Sequence, residues 1–219
     1  MTTRASSSNT WQVKPCGGMN LARDPRNGRN FEYISEDPLL SARIAAGSIN
    51  GTQSEGVISM LKHLSLNGNE TNRHWLNAVI DEAAHRESDL LAFQFAHEAG
   101  NPGSVMCAYN KVNGDWACEN DFLLNQVLKR DWAYEGWVMS DWGAVHATDY
   151  AAKGLDQQSG EQLDDQVWFG EPLKQAVAAG PAEVEGLEAL ELDRADHQQR
   201  RHRQHHHAEP CPRLGGQAL

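Results

Sequence analysis

No stretch of this 219-residue sequence approaches the roughly 18 consecutive apolar residues that a membrane-crossing helix needs. Its opening, MTTRASSSNTWQVKPC, lacks the apolar segment of a secretory signal, so the chain read literally stays in the cytoplasm. Cysteine is scarce. The four present (Cys16, Cys107, Cys118, Cys211) include no CxxC pair, which argues against a disulfide scaffold and against a structural zinc site. Cys107 and Cys118 either pair across a loop or remain buried thiols, and spacing alone leaves both open. Positive charge is also short: 19 Lys and Arg face 30 Asp and Glu, for a formal net charge of −11. Nucleic acid and anionic membranes call for a basic surface, so neither is expected as a partner.

What is present suits one globular domain with a real core, since 40% of residues are hydrophobic and 22% charged. Three regions differ in character. Residues 1–16 are rich in Ser and Thr without periodicity and read as an irregular head. Residues 17–180 alternate helix-like and strand-like segments. Residues 181–219 hold no aromatic residue, Ile, Met or Lys, and crowd five histidines into 197–207. So little apolar content predicts a disordered tail. Binding of a divalent metal is one reading of the His cluster; the Arg, His, Gln, Ala and Pro bias favours another, an out-of-frame translation of a GC-rich gene. Finding no family-like continuation in any frame of the flanking DNA would overturn that expectation.

Within 17–180, Asp37 precedes a helix with apolar positions at Leu40, Ile44 and Ile49. The run 57–61 is strand-like and ends in Lys62 and His63. Asp81 caps a helix running to about Glu98, with Leu90, Leu91, Phe93 and Ala96 on its buried side. Gly100 and Pro102 stop it. Another apolar run, 104–108, leads into a polar loop. A helix over about 121–131 carries Phe122, Leu124, Val127 and Leu128. Residues 137–140 form a further short run before Asp141, and a last helix, about 171–179, holds Leu173, Ala176 and Val177.

Short apolar runs alternating with helices predict βα units around a parallel sheet. Three of those runs end in reactive side chains: Lys62–His63, Tyr109–Asn110 and Asp141–Trp142. Active sites of such sheets form at the carboxyl ends of strands, so the pattern favours an enzyme without naming one.

Three blocks name a family. GRNFEYISEDP (28–38), KHLSLNGNETNR (62–73) and VMCAYNKVNG through VMSDWGAVH (105–146) resemble, in order and spacing, the catalytic barrel of glycoside hydrolase family 3 β-glucosidases. The resemblance covers about residues 17–180. It implies an α/β fold, an incomplete (β/α)8 TIM-type barrel holding roughly the last five strands. Asp141 matches the nucleophile. Arg29, Lys62, His63 and Arg73 match residues that hold the sugar hydroxyls, Tyr109 a tyrosine beside the nucleophile, and Trp142 a tryptophan stacked beside the sugar.

The chemistry suits those residue types. A retaining glycosidase needs an ionised carboxylate to attack the anomeric carbon, and cations such as Lys62 and Arg73, if they lie close, are expected to favour the charged form of Asp141. Taken singly, each residue has a plainer reading. Asp141 would be a helix N-cap, Lys62 and His63 a solvated strand end, Arg29 and Arg73 ion-pair partners of Glu32 and Glu70, Tyr109 and Trp142 core. Only the ordered blocks favour the functional set.

Two departures from the family pattern accompany the match. Residues 1–16 show nothing like the strands and sugar-binding aspartate expected before GGMN. The family's acid/base glutamate, implied to sit on a following sandwich domain, has no counterpart, and the loop LSLNGNETNRH lacks the His–Asp pair of related N-acetylglucosaminidases. General acid–base catalysis contributes ~10²–10⁴-fold, so unactivated glucosides would suffer. The function implied is hydrolysis of terminal β-D-glucosyl residues, with retention, from a small-molecule or oligosaccharide β-glucoside. No cofactor or metal is implied. The alternative is a sugar-binding remnant without activity, the product of a truncated or frame-shifted gene.

Overall fold

A computed structural model describes residues 13–160 and 164–180. Residues 1–12 and the whole tail, with its expected disorder and His cluster, lie outside the described residues. The described residues form seven strands: β1 (Val13–Gly18), β2 (Ile58–Leu64), β3 (Asn77–Ala78), β4 (Ser104–Cys107), β5 (Lys111–Val112), β6 (Asp115–Trp116) and β7 (Trp137–Met139). The helices are α1 (Pro38–Ser54), α2 (Glu82–Arg86), α3 (Asp89–Gly100) and α4 (Glu171–Ala179), with a π-helix over Phe122–Asp131. Residues 13–16, expected to be irregular, thus belong to a strand.

β1, β2, β4 and β7 form one parallel sheet in that order. Strands that neighbour one another in chain order, all parallel and with helical crossovers, are wound in one direction only. A doubly wound sheet reverses at its middle; a (β/α)8 barrel does not. The described part is therefore an α/β, TIM-type arrangement of four strands, with a single parallel bridge from Met139 to Gln157 continuing it.

Local chemistry explains the elements. Asp37 caps α1 by accepting from the Leu40 N–H (2.6 Å), with Pro38 in the first turn, where its missing N–H is harmless. The buried stripe of α1 is Ser41, Ala42, Ala45, Ala46 and Ile49, whereas Leu40 and Ile44, expected inside, are 50% and 51% exposed. Small residues let α1 lie close on α3, whose Gly100 leaves room for Ile49: a Cβ there would sit 2.9 Å from Ile49 Cδ1. Leu90, Phe93 and Ala96 are buried as expected; Leu91 is only half-buried.

The single helix expected over Asp81–Glu98 is two. Asp81 caps α2 through the Ala84 N–H (2.9 Å), and the Ser88 hydroxyl then donates back to the Ala84 carbonyl (2.6 Å) where the helix breaks. The break turns His85 inward to Ser65 Oγ (2.8 Å) and Asp89 inward to Arg23. The expected polar loop after β4 is also structured: β5 and β6 form an antiparallel hairpin across Asn113–Gly114, both at positive φ (53° and 109°). The helix at 122–131 is wound i→i+5, as in Trp132 N–H to Val127 O (3.0 Å), and buries Leu123, Leu124, Val127 and Leu128 while Phe122 is only partly covered. In α4, Ala176 is buried but Val177 is exposed.

Cys107 and Cys118 are joined in a disulfide, their Cα atoms 5.1 Å apart, which settles the choice left open by their spacing. The bridge ties the end of β4 to the segment entering the π-helix. Among the described residues no helix is long and apolar enough to cross a membrane.

Candidate active site

Parallel strands place all their carboxyl ends on one rim, and the chemically capable residues gather there. Lys62 and His63 lie in the last half of β2, Tyr109 stands two residues beyond β4, and Asp141 two beyond β7. Arg29 comes from the loop between β1 and α1, Arg73 from the loop after β2.

Asp141 is the centre. Only 6% of it is exposed. Its Oδ1 accepts from the Trp142 N–H (2.9 Å), and its Oδ2 lies 3.3 Å from His63 Nε2 without the alignment of a hydrogen bond. Burial raises the Asp141 pKa above its ordinary range; the Trp142 N–H, the Tyr109 hydroxyl, Arg29 and Lys62 oppose that rise without cancelling it. Lys62 and Arg29, not the expected Arg73, favour the charged form, and burial outweighs them, so the expected hold on the ionised carboxylate is not met in the empty site.

His63 is neutral. Burial, then Lys62 and Arg29, push its pKa well below the ordinary 6.5, so the contact with Asp141 is not an ion pair. The Tyr33 hydroxyl donates to the Asn67 backbone carbonyl (2.5 Å) and stands 3.5 Å from His63 Nδ1, while the His63 backbone N–H donates to Asn20 Oδ1 (3.2 Å). His63 Nε2 faces Asp141. Tyr33 fits here because Gly18 has no Cβ, which would overlap the Tyr33 ring.

The cations are held in a ladder of alternating charge. Glu32 binds Lys62 Nζ (2.9 Å) with one oxygen and Arg29 Nη2 (2.5 Å) with the other. Glu70 binds Arg29 Nη1 (3.0 Å) and Arg73 Nη1 (3.2 Å). Arg73 also lies over the Tyr109 ring, 4.6 Å from its centroid. The plainer reading of Arg29 and Arg73 as ion-pair partners of Glu32 and Glu70 is thus correct as geometry, and it coexists with their place on the rim.

Trp142 is 41% exposed. One side of its ring rests on Gly160, where a Cβ would come within 2.5 Å of Cδ1. Buried polar atoms without partners collect around the same rim: Arg29 Nε, Asn20 Nδ2, both side-chain atoms of Asn67 and Asp141 Oδ2. Unpaired buried polar atoms call for an explanation, and a bound polyhydroxylated ligand supplies partners of both kinds. Among the described residues no group of three metal-ligating side chains occurs. A separate hollow of about 290 Å³, lined by Leu39, Arg43 and Phe95, lies on the helix layer and not at the strand ends.

Sequence reasoning singled out seven rim residues and passed over Tyr33, Asn20 and Asn67. No local signal marks these three, because their partners are tens of residues away; Glu32 and Glu70 are legible in sequence only as counterions.

Comparison with known proteins follows the same lines. Residues 11–163 match the family described as Glycosyl hydrolase family 3 N terminal domain. Thermostable beta-glucosidase B of Acetivibrio thermocellus is 48% identical over 129 residues, which are 59% of this chain and 17% of that enzyme. The exo-alpha-(1->6)-L-arabinopyranosidase of Bifidobacterium longum is 44% identical over 129 residues, with the same two coverages of 59% and 17%. The crystal structure of DesR, a beta-glucosidase from Streptomyces venezuelae in complex with D-glucose, superposes with a TM-score of 0.71 at 42% identity, over 80% of this chain and 24% of DesR. The chain thus spans about a sixth of the curated relatives' length.

Proposed function

The chain belongs to the family of glycosyl hydrolase family 3 N-terminal domains, and on that footing we propose that it hydrolyses terminal β-D-glucosyl residues from β-glucosides, with retention, through Asp141. One observation carries this reading: a carboxylate at a strand terminus with a neutral imidazole 3.3 Å away and a tyrosine hydroxyl beside it, fringed by Arg29 and Lys62. Asp141 attacks the anomeric carbon from the face opposite the leaving oxygen, whose bond breaks as the glycosyl-enzyme forms; water then attacks from the vacated face and displaces the carboxylate, restoring the β configuration. A carboxylate costly to ionise in the empty site gains most from the positive charge that develops on the sugar ring as the bond breaks.

The other rim residues hold hydroxyls. His63 Nε2 hydrogen-bonds one sugar hydroxyl, and Lys62 and Arg29 donate to others. Trp142, its far side supported by Gly160, offers its open face to the C–H face of the ring. The general acid is assigned to no described residue, so the test uses a leaving group that needs none.

The experiment is hydrolysis of 2,4-dinitrophenyl β-D-glucoside, followed by NMR of the first anomer released, with the dinitrophenyl α-L-arabinopyranoside in parallel. Turnover that yields the β-anomer and vanishes in Asp141→Asn supports the reading. Undiminished turnover in Asp141→Asn sinks it. Preference for the arabinopyranoside would move the substrate assignment and leave the nucleophile in place.

A further inference from the structure

Where β2 reaches the rim it carries one residue more than β4 beside it. Lys62 pairs with Met106 and Leu64 with Cys107, which leaves His63 without a counterpart. An extra residue of this kind bends a strand, re-aims its side chain and interrupts the ladder that would hold it. Here the side chain so placed is the imidazole that faces Asp141.

Side chains take over from the ladder around this bulge. The His63 backbone N–H donates to Asn20 Oδ1 (3.2 Å). Beyond it, the Leu64 carbonyl accepts from the Ala108 N–H (2.9 Å) and the Ser65 carbonyl from Asn110 Nδ2 (3.2 Å). Ser65 Oγ lies 2.8 Å from Nε2 of His85, which belongs to the last turn of α2. Ser65, Asn110 and His85 are all buried.

Packing alone does not account for a histidine at this place. His85 Nδ1 has no partner among the described residues, and a buried nitrogen left unpaired destabilises where a leucine of similar volume would not. The helix that carries it is anchored from its other side, because Arg86 donates to Glu82 (2.7 Å) and to Asp131 on the π-helix (2.7 Å). His85 thus offers Ser65 a polar atom from a fixed element.

We propose that His85 is a positioning residue for the sugar site: through Ser65 it fixes the bulge of β2, and with it the directions of Lys62 and His63. This rests on the glucosidase reading and deepens it, since those two side chains hold the sugar hydroxyls there. His85, buried behind the rim, touches neither the sugar nor the reacting atoms. Its reach extends to the neighbouring strand end, because the Asn110 side chain held by the Ser65 carbonyl directly follows Tyr109.

The test measures kcat and KM on 2,4-dinitrophenyl β-D-glucoside, and glucose affinity by calorimetric titration, for the whole chain and for Ser65→Ala, His85→Leu and His85→Gln, each below its unfolding midpoint. Lys62 and His63 bind the sugar in ground and transition states alike. Loosening them in Ser65→Ala or His85→Leu is expected to raise KM and weaken glucose binding on the order of tenfold, short of the ~10²-fold that a full ångström of misplacement costs. A structural role alone would instead lower the folded fraction, and with it kcat, at unchanged KM. His85→Gln presents a polar atom to Ser65 and is expected to recover most of the affinity, and Ser65→Ala combined with His85→Leu to lose no more than either alone. An unchanged KM in Ser65→Ala, which removes a single oxygen and keeps the test open if His85→Leu does not fold, would refute the positioning role. So would a His85→Gln variant no better than His85→Leu; in both cases the glucosidase reading stands. If the unaltered chain neither turns over the glucoside nor binds glucose, the glucosidase reading fails and the positioning role goes with it.

Discussion

Nε2 of His63 stands 3.3 Å from Oδ2 of Asp141, yet the fold favours the uncharged form of both. For Asp141 the consequence has a definite sign. A carboxyl whose pKa is raised in the folded chain above its ordinary 3.8 holds its proton more tightly there than in the unfolded chain. The stability this contributes is complete below the unfolded pKa and is lost as pH rises through the folded one. At neutral pH the ionised Asp141 is therefore a burden on the fold. Asp141→Asn is expected to raise the unfolding midpoint at pH 7 while abolishing turnover, and the gain is expected to shrink toward pH 4. Thermal unfolding of both proteins across that range checks it; a lower midpoint for the variant at pH 7 would contradict the burial argument.

His63 and His85, both buried, act oppositely. His63 is pushed well below 6.5, and His85 down to about 4, by burial first, then by nearby cations: Lys62 and Arg29 for His63, Arg23 and Arg86 for His85. A base with a lowered folded pKa contributes stability that is complete above 6.5 and lost as pH falls through the folded value. Resistance to urea is expected to fall steadily from pH 6.5 to 4, with His85 alone responsible for roughly 3 kcal/mol at the limit. His85→Gln, which keeps a partner for Ser65 and cannot titrate, is expected to flatten part of that slope.

How far these relationships were legible depends on their range. The strand ends announced Lys62, His63, Tyr109 and Asp141, because an apolar run that stops at a reactive side chain is visible locally. Asn113–Gly114, between Lys111–Val112 and Asp115–Trp116, was equally visible: Asn-Gly is the strongest short-range sign of a tight hairpin, and reading the segment as a polar loop missed it. The α1 stripe was misassigned because Leu40 and Ile44 outweigh alanine in any apolar count, whereas close packing on α3 selects the small residues. The break at Ser88 depends on Arg23 and Ser65, far along the chain, which periodicity cannot see. Tyr33 escaped notice for that reason too.

Glu32 positions both Lys62 and Arg29 without touching the proposed reacting atoms. Glu32→Gln keeps the shape but removes the charge that fixes two cations. Misplacement of binding groups by about an ångström costs on the order of 10²-fold, and kcat/KM on an aryl β-glucoside is expected to fall by that order. A positioning role predicts that Glu32→Asp recovers part of the loss and that the unfolding midpoint changes little. A variant whose activity loss merely tracks its loss of stability would make Glu32 a structural residue only.

The Cys107–Cys118 disulfide closes a short loop that contains Tyr109 and Trp116. Loop-closure entropy puts its contribution at about 3 kcal/mol. The Cys107→Ser, Cys118→Ser double variant is expected to unfold at lower urea by that amount, and to bind glucose more weakly because Tyr109 is then held by packing alone. Equal urea midpoints with and without reductant would show that the bridge does not constrain the loop.

Gly160 joins backbone geometry to the sugar face most directly. Its φ of +89° is a conformation that L side chains rarely adopt, and an added Cβ would lie 2.5 to 2.9 Å from three atoms of Trp142. Gly160→Ala must therefore either move the backbone out of the left-handed region or push the indole toward the space where the sugar is proposed to sit. The backbone strain costs about 1 kcal/mol. Displacement of Trp142 acts on binding of the sugar in ground and transition states alike, so KM is expected to rise several-fold while kcat on the dinitrophenyl glucoside changes little. Trp142→Ala removes the indole, so Gly160→Ala added to it is expected to cost stability only and no further loss of affinity. Independent, additive losses in the double variant would mean that Gly160 does not act through Trp142.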